Sequence, residues 1–82
     1  MAYLDNIRTF IRVYELENMS AAARDLRISA AVASSRISQL EEHLNTRLFQ
    51  RTTRKLAATE QGRMLYEGAC RIIEAVDMAE AD

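Results

Sequence analysis

The sequence predicts a mainly α-helical domain that contains one small β-hairpin and ends in a long helix. Its 82 residues include no Pro, only two Gly and 49% apolar residues, which favours helices over an all-β sandwich or a disordered tail. Apolar side chains recur at helical spacing in several segments. The last two of these segments are separated by a polar, cationic stretch that lies between two short apolar runs. A single domain of this size is close to the lower limit for a stable core, so help from a partner chain is expected.

The first helix is predicted over residues 3–17. Its wide apolar face consists of Leu4, Ile7, Phe10, Ile11, Val13, Tyr14 and Leu16. We expect this helix to support the short helices that follow, because two short helices alone cannot bury enough surface to stay folded.

Two short helices joined by a tight turn are predicted between Ser20 and Leu44. Ser20 is a suitable N-cap for the first of them. Its inner face consists of Ala22, Ala23 and Leu26. Only residues 27–29 remain between the two helices, and a connection of three or four residues is typical of a helix-turn-helix. An ordinary helical hairpin in a small bundle is the alternative.

The second of these helices, which we call the reading helix, is predicted to begin near Ala30 with Ser29 as its N-cap. Its buried stripe consists of Ala33, Ile37, Leu40 and Leu44. Its opposite surface carries Ala31, Ser34, Ser35, Ser38, Gln39 and Glu42. Over the first two turns this surface is small, uncharged and able to form hydrogen bonds, so it can lie close to a base edge, and the capped N-terminus favours a phosphate.

Charge is distributed unevenly along the chain, although the net charge is only −1. Residues 1–23 hold two Arg and three acids, residues 24–55 hold seven Lys or Arg and three acids, and residues 56–82 hold two Arg and six acids. The basic third is therefore centred on the reading helix and the segment after it, an arrangement that favours nucleic-acid binding.

A short β-hairpin, which we call the wing, is predicted from residues 49–52 and 56–58, which flank a cationic tip. Its hydroxyl and cationic side chains are Arg51, Thr52, Thr53, Arg54 and Lys55. Such groups are suited to phosphates or to a minor groove. A solvated basic loop is the alternative.

The last helix is predicted to begin after Thr59 as N-cap, with Glu60 favourably placed in the first turn. An apolar stripe of period 3.5 follows, formed by Leu65, Ala69, Ile72, Val76 and Ala79. Because the helix is roughly 33 Å long at 1.5 Å per residue, it is too long to lie wholly on so small a domain. We therefore expect the stripe to form a homodimer, with a core face of the same chain as the alternative.

Together these residues resemble the N-terminal DNA-binding region of LysR-type transcriptional regulators, from about Leu4 to the end of the chain. The ordered set that carries the resemblance is Ala22, Ala23, Leu26, Ile28, Ser29, Ser34, Ile37, Leu40, Glu41, Leu48, Phe49, Arg51, Thr59, Glu60 and Gly62. The resemblance implies a winged helix-turn-helix with a three-helix core and a two-stranded wing, followed by a linker helix that pairs between subunits. It implies double-stranded DNA as the partner, with the reading helix in the major groove. Family members typically work as dimers or tetramers.

The resemblance also implies base and phosphate contacts at Ala30, Ala31, Ser34 and Ser35 and on the wing. The family usually has Gln-Pro where this chain has Ala30 and Ala31, and often Arg where it has Ser35. An alanine methyl can contact a thymine methyl but cannot form a bidentate bond to adenine, so we expect base recognition to shift to neighbouring side chains. The full set of expected DNA-binding residues is Ser29, Ala30, Ala31, Ser34, Ser35, Arg36, Ser38, Arg51, Thr52, Thr53, Arg54 and Lys55.

Residues 1–58 are predicted to form the DNA-binding domain and residues 59–82 the linker and dimerisation helix. Regulators of this type carry a C-terminal effector domain, and we expect this chain to be a fragment without it.

An enzyme is not expected, because the single His43 and the single Cys70 are more typical of structural positions and no phosphate-binding glycine loop occurs. We expect no cofactor, no structural zinc, no disulfide, no membrane span and a cytoplasmic location. A dimeric helical module that binds an acidic protein is the alternative to DNA binding.

Overall fold

The structure, a computed structural model, describes residues 2–51 and 56–81. The elements are α1 (Ala2–Leu16), α2 (Met19–Leu26), α3 (Ala30–Leu44), β1 (Phe49–Arg51), β2 (Leu56–Ala58) and α4 (Glu60–Glu80). The reading helix is α3, and β1 and β2 pair as the antiparallel strands of the wing. The predicted fold class is confirmed: a mainly helical winged helix-turn-helix followed by one long helix.

The core is organised around α1, which packs against α2, α3 and α4. Ile7, Phe10 and Val13 of α1 have no accessible surface. The Phe10 ring lies 5.5 Å from the Phe49 ring of β1, measured between centroids, so the wing is tied to the same core as the helices. The other fully buried apolar side chains of the core cluster are Ala22, Ile37, Leu40, Leu48 and Ala69. This packing agrees with the predicted supporting role of the first helix.

The second helix begins earlier than the sequence predicted. Asn18 is its N-cap, because the backbone of Asn18 is extended and its side chain accepts a hydrogen bond from the Ala21 N–H at 2.8 Å. The prediction of Ser20 as the cap is wrong. Glu17 adopts a left-handed conformation with φ 55°, which ends α1 within one residue and leaves Asn18 at the start of α2.

The turn between α2 and α3 is closed by backbone hydrogen bonds. Arg27 adopts φ 60°, its N–H donates to the Arg24 carbonyl at 3.1 Å, and the Ile28 N–H donates to the Ala23 carbonyl at 2.9 Å. This pattern satisfies carbonyls that the end of α2 would otherwise leave without partners. The helix-turn-helix connection is thereby fixed locally, next to two buried alanines of α2 that let the helices approach closely.

The base of the wing is held by α3. Glu41 lies near the C-terminus of α3, and its Oε2 accepts from the Leu48 N–H at 2.9 Å and from the Phe49 N–H at 3.4 Å. The side chain of Glu41 is only 11% exposed. It therefore fixes where β1 begins relative to the reading helix.

The base of the wing is also held by the start of α4. Thr59, the predicted N-cap, accepts from the Gly62 N–H at 3.0 Å, donates its hydroxyl to the Arg47 carbonyl at 2.6 Å and donates its N–H to the Leu48 carbonyl at 3.0 Å. Gly62 lies so close to the Leu48 carbonyl that a Cβ atom there would overlap its oxygen. Wing and linker helix therefore form one rigid junction.

The α4 helix is attached to α1 along its first half. The Tyr66 and Tyr14 rings stack with centroids 4.1 Å apart and an interplanar angle of 11°. The hydrogen bond that Tyr66 donates to the Glu15 carboxylate at 2.6 Å raises the pKa of the Tyr66 phenol above its ordinary value. Further along, Arg8 and Asp77 pair at 3.1 Å. These contacts set the direction in which α4 leaves the core.

Candidate nucleic-acid interface

The N-terminus of α3 is open to solvent. Ser29, Ala30 and Ala31 are exposed, and the Ser29 hydroxyl accepts a hydrogen bond from the Val32 N–H at 3.1 Å, as predicted for the cap. The first N–H groups of a helix have no partner within the helix and lie at the positive end of its dipole. This end of α3 can therefore bind an anion such as a phosphate.

The predicted division of α3 into a buried and an exposed face is confirmed. Ala33, Ile37 and Leu40 have no accessible surface, whereas Ser35 and Ser38 are exposed. Ser34 is half-buried at the edge of the exposed face. The outer ridge of α3 is consequently narrow and uncharged over its first two turns.

Arg51 of the wing lies beside this ridge. Its Nη1 donates to the Ser34 hydroxyl at 3.5 Å, although the two residues are 17 positions apart in sequence. Arg51 is exposed, so its guanidinium remains accessible to a phosphate. The structure thus brings a permanent positive charge and the small face of the reading helix onto one side of the molecule.

Ser35 lies at the end of a row of hydrogen bonds that the sequence did not predict. Asn6 of α1 donates its Nδ2 to Gln39 Oε1 at 3.4 Å, and Gln39 donates its Nε2 to the Ser35 hydroxyl at 3.2 Å. The row connects a buried amide of α1 with the exposed surface of α3. No local signal could have revealed it, because Asn6 and Gln39 are 33 positions apart.

Arg36 does not lie on the exposed ridge. Its Nη1 donates to the Thr9 hydroxyl of α1 at 3.3 Å, and the residue is half-buried. Position 36 directly precedes the fully buried Ile37, so it lies on the flank of α3 that faces α1. In this conformation Arg36 contacts the first helix. The expected contact between Arg36 and bases stays a prediction.

The remaining wing residues of the predicted site lie outside the described residues. They are Thr52, Thr53, Arg54 and Lys55.

The predicted dimerisation stripe divides into two parts. Ala69 has no accessible surface, and Leu65 is half-buried against the core of its own chain. Ile72 is 39% exposed, Val76 is half-buried and Ala79 is exposed. In this conformation Leu65 and Ala69 pack in the core of their own chain, whereas Ile72 and Ala79 are exposed. The pairing of two chains through the stripe stays a prediction.

Glu41 and Gly62 both position the wing, a role that was not predicted for either residue. A glycine inside a helix costs about 1 kcal/mol relative to Ala and often has a packing reason, so Gly62 carried a usable signal. Glu41 carried none, because its partners Leu48 and Phe49 lie beyond the end of α3.

Within residues 2–51 and 56–81, no group of three or more His, Cys, Asp or Glu side chains is arranged to hold a metal ion. The helices of this described part are all too short or too polar to cross a membrane.

The chain matches relatives that are named as regulators. The family model described as bacterial regulatory helix-turn-helix protein, lysR family, matches residues 4–63. An HTH-type transcriptional regulator of Haemophilus influenzae is 48% identical over 82 residues, which are 100% of this chain and 28% of that protein. The regulator DmlR of Escherichia coli K12 is 41% identical over 73 residues, which are 89% of this chain and 24% of DmlR. The chain thus spans about a quarter of the length of these relatives.

Solved structures of similar fold include two complexes with DNA. The BenM DNA-binding domain in complex with catB site 1 DNA superposes with a TM-score of 0.90 at 31% identity and covers 95% of this chain and 88% of that one. The CbnR DNA-binding domain in complex with DNA superposes with a TM-score of 0.89 at 32% identity, and the match covers 93% of this chain and 87% of the CbnR chain. Because the family model spans most of the chain and its neighbours share the fold, this chain belongs to the LysR family of bacterial regulatory helix-turn-helix proteins.

Proposed function

We propose that this chain is the part of a LysR-type transcriptional regulator that binds double-stranded DNA, with α3 in the major groove and the wing on the adjacent backbone or minor groove. The observation that carries the proposal is the 3.5 Å hydrogen bond from Arg51 on β1 to Ser34 on α3. Because of it, a cation suited to phosphate lies directly beside a ridge small enough to approach base edges. The similar BenM and CbnR DNA-binding domains were solved in complex with DNA, which supports DNA as the ligand.

Base recognition would depend on methyl and hydroxyl groups. No Lys or Arg occurs in residues 30–35, so the first turns of α3 cannot form the bidentate bond that Arg or Lys makes to guanine. The methyl groups of Ala30 and Ala31 can contact the methyl group of thymine. Ser34, Ser35 and Ser38 can form single hydrogen bonds to base edges or phosphates.

We further propose that two chains pair through the outer part of α4, with Ile72, Val76 and Ala79 at the contact. The exposure of Ile72 and Ala79 and the partial exposure of Val76 in the single chain support this role. A two-fold pair would set two reading helices about 34–36 Å apart, one turn of DNA, and so bind two half-sites together. The whole regulator would act in the cytoplasm as a dimer or a tetramer.

The test is selection of bound sites from a randomised duplex pool with the 82-residue chain, followed by titration of the recovered duplex at several salt concentrations. We expect two inverted half-sites about one helical turn apart and a logarithm of the binding constant that falls linearly with the logarithm of salt concentration. The slope should be about −0.9 for each phosphate neutralised. Failure to bind any duplex, together with binding to an acidic protein, would favour the interaction module instead.

A further inference from the structure

The hydrogen bonds of Ser35 have a defined direction that begins in the core. Asn6 is only 6% exposed, so its amide must find partners inside the protein, and one of them is Gln39 Oε1. A carboxamide carries its oxygen on one side and its NH₂ group on the other. With the oxygen of Gln39 turned to Asn6, its Nε2 is turned to Ser35.

The Ser35 hydroxyl consequently accepts from Gln39 and keeps its proton for another partner. A serine hydroxyl has one proton and can rotate to suit its neighbours, so an isolated serine accepts or donates with equal ease. At Ser35 the proton cannot point at the N–H group of Gln39, and it points away from it. The hydroxyl is prepared to donate to whatever approaches the ridge of α3.

We propose that Asn6 and Gln39 are positioning residues that hold the Ser35 hydroxyl as a hydrogen-bond donor toward DNA. This inference rests on the proposed function. A donor suits guanine N7 and O6, adenine N7, thymine O4 and phosphate oxygens, and it disfavours cytosine N4 and adenine N6, which are donors themselves. Ser34 is arranged in the same sense, because its hydroxyl accepts from Arg51.

The substitution Gln39→Glu reverses this direction with little change of shape. One carboxylate oxygen can still accept from Asn6, while the other lies beside Ser35 and accepts its proton. The Ser35 hydroxyl then presents a lone pair to the groove instead of a proton. Gln39 is exposed, so the fold should be retained, which circular dichroism would verify.

The experiment compares sites selected from a randomised duplex pool by the wild-type chain, Gln39→Glu, Ser35→Ala and the double variant. At the base pair facing Ser35, we expect Gln39→Glu to move the preference from acceptor-bearing to amino-bearing base edges by about three- to tenfold, the range for one neutral hydrogen bond. Ser35→Ala should remove the preference at that position.

The double variant controls for charge, because it carries the added carboxylate without the hydroxyl. Relative to Ser35→Ala it should weaken binding to all sequences alike and leave the base preference unchanged. An equal shift of preference in both backgrounds, or an unchanged preference in Gln39→Glu or in Ser35→Ala, would overturn the positioning role. If the wild-type chain binds no duplex, it is the proposed function that fails; if it binds a defined site that these variants leave unaltered, only the role of Asn6 and Gln39 fails.

Discussion

The two glycines of α4, Gly62 in its first turn and Gly68 in its interior, differ in the space beside them. Neither has a positive φ, so both positions accept the backbone conformation of any residue. A Cβ atom at Gly62 would overlap the Leu48 carbonyl oxygen, whereas a Cβ atom at Gly68 would have nothing within 4 Å. The pair therefore separates the need for close approach from the general cost of glycine in a helix.

We expect Gly68→Ala to raise the free energy of unfolding by about 0.5–1 kcal/mol, since Ala has the higher helix propensity. Gly62→Ala should instead lower it by about 1–3 kcal/mol, because the obstructing atom belongs to the backbone at the base of the wing. Urea denaturation of both variants measures the difference. Equal stabilisation by the two substitutions would mean that the junction can move aside at no cost.

Arg51 should contribute to affinity without selecting a sequence. Replacing it with Ala is expected to weaken binding to every duplex alike and to make the salt slope about one unit shallower, because one phosphate contact is lost. Arg71→Ala, which removes an exposed cation from α4, is the matched control and should leave the slope unchanged. A loss confined to one base position would instead assign Arg51 to base recognition.

Local residue roles could be predicted from the sequence, and long-range ones could not. Ser29 and Thr59 were identified as caps because a hydroxyl and the N–H it accepts from are three residues apart. The hydrogen bond between Arg36 and Thr9 could not be predicted, because the two residues lie 27 positions apart. Such pairs become visible only once the helices are packed.

One side chain of α3, that of Glu41, holds the start of the wing. The carboxylate of Glu41 accepts hydrogen bonds from the backbone N–H groups of Leu48 and Phe49. Without it, these two donors at the edge of the core would lose their partner. Glu42, the next residue of α3, is exposed. The two neighbouring glutamates therefore form a natural comparison.

We expect Glu41→Ala to lower the free energy of unfolding by about 1–3 kcal/mol and to weaken DNA binding beyond the effect on stability, because β1 and Arg51 lose their position relative to α3. Glu42→Ala should change the free energy of unfolding by less than about 0.5 kcal/mol. Denaturation and duplex titration at a temperature where both variants are folded would compare them. Full affinity in folded Glu41→Ala would show that the wing finds its place by other contacts.

The order of the elements followed from apolar periodicity, while some boundaries did not. The strand Leu56–Ala58 and the start of α3 lie where the sequence predicted them. The start of α2 was predicted too late, because Ser20 and not Asn18 was predicted as the N-cap. The sequence has no pattern that predicts the left-handed conformation of Glu17. Turn geometry depended on the packing of α1 and α2, which periodicity does not describe.

At the scale of the whole molecule, α4 has two distinct halves. Its first half contributes the buried Ala69 to the core. Its second half exposes Ile72 and Met78, although Ile73 packs against the core and Asp77 pairs with Arg8 of α1. The period of 3.5 residues predicted one continuous seam, because the pattern of a core-facing helix and that of a paired helix are the same over two heptads.

We expect Ile72→Lys to convert dimers of the chain into monomers while the fold is retained, because it adds a charge to an apolar contact. Glu67→Lys changes an exposed residue of the same helix and should leave the assembly state as it is. Sedimentation of both variants at matched concentration distinguishes them. An unaltered dimer in Ile72→Lys would assign the contact to another surface.

Because of the junction at Gly62, we expect the helix-turn-helix and α4 to move as one rigid body. With 21 residues, α4 is about 32 Å long, and the longest dimension of the molecule is 44 Å. If a second copy binds the C-terminal end of α4, a tilt of α4 by about 10° about that end moves its N-terminal end by roughly 5 Å. This displacement is larger than the 3.4 Å step between successive base pairs. A small torque applied far from the DNA would thus be enough to take both reading helices out of register with their half-sites.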